Sequence, residues 1–185
     1  MKTQSRLLGI VLLFVLAMAL WPAESVRAAS AEQMDQAGVD ALGRLYATTP
    51  VAQMLAKEAK AILIFPSVVK AGFIFGAEFG NGIMREGGRT VGYYNLTAGS
   101  YGLQAGVQDF EYAMFFMTDS VLTYFRQSEG FQVGVGPSVV IVDQGVAQSL
   151  TTSTIQSDVY AFVFGQQGLM AGLGIQGSKI TRINP

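Results

Sequence analysis

At Ala61 the spacing of the apolar residues changes, and that change constrains the fold more than any other feature of the chain. Before it, from Glu32 to about Lys60, apolar residues recur at three- and four-residue steps. This places Val39, Leu42, Leu45 and Tyr46 on one helical face. Pro50 interrupts the pattern. Thr49 can cap a second helix that takes Pro50 at its first position, where a missing N–H costs nothing. After Ala61 the period is two, the period of a strand. Ala61–Phe65 reads as a short strand ended by Pro66. In Ala71–Phe79, Phe73, Phe75, Ala77 and Phe79 share one face, and Gly72, Ile74, Gly76 and Glu78 the other. Arg85-Glu86-Gly87-Gly88 is a turn into a strand at Arg89–Tyr94. Tyr101–Gln108 is the clearest strand, with Phe110–Met117 as its expected hairpin partner. Thr118-Asp119 caps a short helix carrying Val121, Leu122 and Phe125. Phe131–Val142, Val159–Phe164 and Leu169–Gln176 are further strands, and the polar stretch 143–157 is a long loop or a weak helix.

Glycine recurs on one face of several of these strands: Gly72 and Gly76, Gly102 and Gly106, Gly130, Gly134 and Gly136, then Gly172, Gly174 and Gly177. Glycine inside a strand weakens it unless something needs the room. Tight curvature of a small sheet supplies one such need; a groove in which a ligand touches bare backbone supplies another. The expected fold is therefore α+β: a strongly curved, Gly-rich, barrel-like antiparallel sheet, with N-terminal helices packed against it and a short helix between strands. No linker divides the chain, so residues 32–185 are expected to form a single domain.

The chain has no cysteine and no histidine. That removes disulfides, thiolate chemistry and every Ser–His arrangement. A net charge of −1 gives no basic excess for a nucleic-acid backbone. No cofactor motif or metal constellation stands out, and the glycines form no phosphate cradle. Carboxylates are the remaining general acids and bases. Asp109 and Glu111, two apart, would share a strand face, and a pair of acids can flank a sugar. Glu78, on a glycine face, is either exposed to a groove or paired. Among the cations, Lys57, Lys60 and Lys70 bracket the apolar segment Ala61–Pro66. Long basic side chains around an apolar element suit an anionic lipid surface, although Glu58 offsets part of their charge.

The first residues bear on compartment. Lys2 and Arg6 precede an unbroken apolar run of 14 residues, Leu7–Leu20, then Trp21-Pro22 and small residues. This is the pattern of a secretory signal peptide, and the run is short for a spanning helix. Cleavage is expected near Ala28 or Ala31, with a mature chain that starts near Glu32. A periplasmic or secreted protein, with a membrane-associated form allowed, follows.

From Lys57 onward the chain resembles the SYLF domain family, which is related to the yeast actin-patch actin-binding domain. The resemblance rests on Ala59-Lys60-Ala61-Ile62-Leu63-Ile64-Phe65-Pro66, on Lys70-Ala71-Gly72-Phe73 with Gly76 and Gly80, and on Gly92-Tyr93-Tyr94-Asn95. It continues through Ala98–Gln108, Phe110–Phe125, Gly134-Val135-Gly136 and Gly172–Ile180. It implies a non-enzymatic domain that binds membranes through anionic phospholipid or phosphoinositide-like head groups, with actin a partner of fungal relatives. An exported bacterial member would not meet actin. Unlike the family's basic leading segment, the helix ahead of Lys57 carries Glu32, Asp35 and Asp40. The candidate lipid-binding residues are Lys57, Lys60 and Lys70. A small outer-membrane β-barrel and a hydrolase built on Glu78, Asp109 and Glu111 are the alternatives.

Overall fold

The computed structural model describes residues 30–72, 75–101, 106–128, 130–132, 137–142, 147, 150–151, 155–168 and 178–185. The expected leader, the strand at Leu169–Gln176 and much of the polar stretch 143–157 lie outside these residues. Two helices open the described chain, α1 (Ala31–Thr48) and α2 (Pro50–Glu58). Eight strands follow: β1 (Ala61–Gly72), β2 (Phe75–Glu86), β3 (Arg89–Tyr101), β4 (Gly106–Phe116), β5 (Phe131–Gln132), β6 (Val139–Ile141), β7 (Val159–Gly168) and β8 (Lys179–Ile183). Helix α3 (Asp119–Gln127) sits between β4 and β5.

The fold class is the expected α+β, with N-terminal helices against a curled, half-barrel sheet. Its order is β5-β8-β3-β2-β1-β4-β7-β6. Every pairing is antiparallel except β6 with β7, which is parallel. Local chemistry explains the elements. Ser30 and Gln33 form a capping box at the start of α1, and Thr49 precedes Pro50 as expected, without a side-chain cap bond. Thr118 caps α3 by accepting from the Val121 N–H. Gly87 and Gly88 turn β2 into β3 with φ of 55° and 81°, the left-handed values that a two-residue hairpin needs.

The sheet corrects the sequence reading in three places. Pro66 does not end its strand: β1 runs on to Gly72 through a bulge. Pairing passes from Phe65↔Tyr112 to Val68↔Phe110, three steps on β1 against two on β4. A proline inside a central strand is tolerated at such a bulge, where the ladder is already broken. Next, Gly106–Phe116 is one strand, paired with β1 and β7 rather than forming a hairpin with the residues before it. Within it the Asp109 carboxylate accepts from Ser67 Oγ at 2.9 and 3.1 Å. Finally, Phe131–Val142 is not one strand. Its ends pair at opposite edges of the sheet, Phe131 with Ile180 and Val139 with Val159.

Both faces of the central strands are covered. On the concave face Leu63, Phe65, Val68, Met84, Tyr112 and Met114 pack with Leu122 and Phe125 of α3. The Phe125 ring lies 4.9 Å from Phe116 and 5.2 Å from Phe131. On the convex face Ile64, Ile83, Phe115 and Phe162 lie under Met34, Ala41, Leu42, Leu45 and Leu55. Two-sided burial is why Tyr112–Phe116 reads as continuous apolar sequence instead of alternating. Gly38 brings α1 close: a Cβ there would meet Ile83 Cδ1 at 2.5 Å.

Candidate functional site

Helix α1 buries Met34, Gly38, Ala41, Leu42 and Leu45. That stripe is rotated from the one its sequence suggests, so Val39 is left exposed and Tyr46 half-buried against the edge of the core. The consequence is a groove of about 580 Å³ between the α1–α2 elbow and the Gly87-Gly88 turn. Val39, Leu42, Tyr46, Ala56, Ala59 and Ile62 give it an apolar floor; Lys57, Lys60 and Arg85 give it a cationic rim. Among the described residues that line it there is no acid. Glu58, which the sequence sets against the lysines, lines the neighbouring depression, which it shares with Lys60, Met117, Thr118 and Ile155.

The three cations are held differently. Lys57 is exposed near the C-terminus of α2, where it complements the helix dipole. Lys60 Nζ lies 3.8 Å from Asp119 Oδ2, both side chains well exposed, a pairing worth at most about 1 kcal/mol. Arg85 donates to the Gly88 carbonyl, which ties it to the turn. Burial pushes the Tyr46 phenol above its ordinary pKa of 10, and the positive field of Arg85 pulls it partly back. Arg85 therefore acts on the floor of the groove as well as on its rim.

Lys70, the third lysine singled out in the sequence, is elsewhere. It lies ten residues along β1 from Lys60, about 30 Å away. Its side chain is buried on the concave face with Nζ 3.0 Å from Glu78 Oε1. The structure thus brings Lys57 and Lys60 together and leaves Lys70 out. Arg85 takes the third place. Sequence reading assigned it only to a turn; its position four residues before Arg89, beside a glycine pair, carries no signal of a site.

The carboxylates do not converge. Asp109 and Glu111 share the convex face, as their spacing requires, but Asp109 is held by Ser67. Glu111 is buried and accepts from Arg44 of α1, with Nε at 2.8 Å. Glu78 projects from the opposite, concave face. The two acids on the convex face also oppose β7 across a register shift, where Glu111 lies against Gly165. No pair flanks a shared space.

Residues 97–184 match the family described as Ysc84, Las17-binding protein actin regulator, which is consistent with a member of the SYLF domain family. That description names binding and regulation, and no reaction. The matched segment runs from within β3 to the end of β8, so it does not reach the groove, whose lining residues fall between 39 and 88. No curated protein matches the chain.

Proposed function

We infer that this chain is a non-enzymatic domain of the bacterial cell envelope, exported by its leader, that binds anionic amphiphiles. The observation that carries the reading is the groove: Lys57, Lys60 and Arg85 stand over an apolar floor, with no acid among the described lining residues. An anionic head group would sit among the cations, and its acyl chain would lie along Val39, Tyr46 and Ile62. Each cation near an anionic membrane contributes about 1 kcal/mol, so three contribute about 3 kcal/mol, a factor on the order of 100 in affinity. The Ysc84 description supports a binding role. Its Las17 and actin partners have no counterpart in an envelope, so lipid is the partner proposed here. A transmembrane barrel is a poorer fit, because Ile64, Ile83, Phe115 and Phe162, which would have to face lipid, face α1 and α2.

The test is vesicle flotation. The exported protein should rise with phosphatidylglycerol vesicles and bind phosphatidylcholine vesicles far less. Replacing Lys57, Lys60 and Arg85 together by Gln should lower affinity for phosphatidylglycerol by about 100-fold. Equal affinity of the native and triply substituted chains for phosphatidylglycerol vesicles would remove the groove from the mechanism.

A further inference from the structure

The bulge at Pro66-Ser67 does more than interrupt a ladder. Had β1 kept strict alternation past Phe65, Val69 and Ala71 would face the concave interior and Lys70 the outside. The extra residue reverses this, because β2 and β4 carry no matching shift. Lys70 is turned inward into a row with Glu78 on β2 and Gln108 on β4, all three buried. Val69 is turned outward beside Phe79. On the convex face, beyond the helices, Val69 is 42% exposed, Phe79 55% and Val107 62%. Over this end the sheet is inside out: polar groups inward, apolar groups outward.

In water that arrangement is a poor one, since a one-residue shift would exchange the two sets. It is the polarity of strands that meet hydrocarbon. The apolar zone has a polar boundary. Lys179, Thr97, Phe79, Val69 and Asp109 lie across one row of β8-β3-β2-β1-β4. Two residues further on, the outward row is Gly99, Ala77, Ala71 and Val107, without a charge. The stretches of sequence between β1 and β2, β3 and β4, and β7 and β8, residues 73–74, 102–105 and 169–177, hold no Asp, Glu, Lys or Arg.

We propose that this end of the sheet penetrates one leaflet of a lipid bilayer, with Val69, Ala71, Phe79 and Val107 against the acyl region and Lys179 at head-group level. From the boundary row to Gly72 the strands advance about 10 Å, the depth at which interfacial elements sit. A bilayer's core is about 30 Å thick, so the end enters without spanning. A second copy of the chain is the poorer occupant: the exposed apolar area is on the order of a few hundred Å², below the ~800 Å² per partner of a stable interface. The inference rests on the membrane reading above, but it uses a different surface, about 30 Å from the groove along β1.

Depth-dependent quenching tests it. Phe79→Trp is placed in a Trp21→Phe background, with Val91→Trp, at the opposite end of the sheet, as the comparison. Vesicles contain equal phosphatidylglycerol and phosphatidylcholine with brominated acyl chains. The Phe79→Trp indole should shift to the blue and be quenched, and Val91→Trp should stay unquenched. Val107→Asp should abolish quenching of Phe79→Trp while its circular dichroism is unchanged. If the protein floats but Phe79→Trp is not quenched, the groove reading stands and this one falls. If the protein does not float at all, both fall. If Phe79→Trp shifts to the blue without vesicles and native mass spectrometry finds dimers, a second copy covers the patch and the proposal is overturned.

Discussion

Lys70 and Glu78 show how little a residue's type says about its exposure. Their ion pair is formed by a bulge, and each side chain is at most 4% exposed. Truncating one partner strands the other charge, which typically costs 3–5 kcal/mol, whereas replacing both by apolar groups of similar size is close to neutral. Lys70→Met alone should therefore lower the urea midpoint sharply, and Lys70→Met with Glu78→Met should restore most of it. Equal midpoints for the single and double variants would show that the pair is not coupled. Tyr112 gives the second prediction at this scale. Its hydroxyl is buried with no hydrogen-bond partner among the described residues, and burial alone drives its phenol far above its ordinary pKa of 10. Tyr112→Phe keeps the stacking on Phe65 and removes the orphan, so stability should hold or rise by about 1 kcal/mol. The sign of the pH effect follows from the direction of the shift. Tyr112, Tyr46 and Tyr94 all hold their protons more tightly in the native chain. Their contribution is complete below pH 10 and is lost as pH rises further, because the unfolded chain releases protons the native chain keeps. Unfolding free energy should thus fall between about pH 10 and 12, and fall less in Tyr112→Phe, as followed by circular dichroism on alkaline titration. Neither Lys70 nor Tyr112 was legible at this level in the sequence. Strand alternation gives a face, and a one-residue bulge silently exchanges faces.

At the scale of elements the sequence was more explicit. The period change at Ala61, the break at Pro50 and the Thr118 cap each mark a boundary that the structure keeps, because these signals are local. Pro66 misled because a proline is read as a terminator unless the partner strands are known. The split of Phe131–Val142 misled for the same reason: pairing is nonlocal. Helix α1 illustrates what a local signal cannot separate. Gly38 and Gly43 look alike in sequence, yet a Cβ at Gly38 would run into Ile83, and one at Gly43 meets nothing within 4 Å. Gly43→Ala should stabilise by about 0.5–1 kcal/mol through helix propensity. Gly38→Ala should instead destabilise by about 1–2 kcal/mol, with Ile83→Val recovering part of the loss by removing the obstructing methyl. Thermal unfolding of the four chains measures both. On the proposed reading that a leader is removed, the capping box favours one cleavage site over the other. Ser30 accepts from the Gln33 N–H and Gln33 Oε1 accepts from the Ser30 N–H, so cleavage after Ala31 would remove a cap worth about 1 kcal/mol, and cleavage after Ala28 would keep it. The mass of the exported chain is expected to correspond to a start at Ala29.

For the molecule as a whole, the two proposed lipid contacts lie at opposite ends of β1. Lys60 is at one end of that strand, and Ala71, beside Phe79 and Val107 in the outward apolar rows, is at the other, about 30 Å along it. With the strands entering along their length, as proposed, the groove stands about 30 Å from the bilayer they enter and does not touch it. The contacts therefore act as alternatives on a single vesicle and as a pair between two. Their physics also differs. In the cationic rim Lys57 and Lys60 are exposed and Arg85 is half-exposed, so its attraction is screened over about 8 Å at 0.15 M salt, while apolar insertion at Phe79 is not screened. The native chain should accordingly cluster phosphatidylglycerol vesicles at low salt, seen as a rise in light scattering. Substituting the three cations by Gln should stop clustering and leave a salt-insensitive flotation. Phe79→Asp with Val107→Asp should also stop clustering but leave a flotation that salt abolishes. All five substitutions together should leave the protein in solution. Clustering that survived either set alone would mean that one surface makes both contacts, and the division of the molecule into a basic end and an apolar end would not hold.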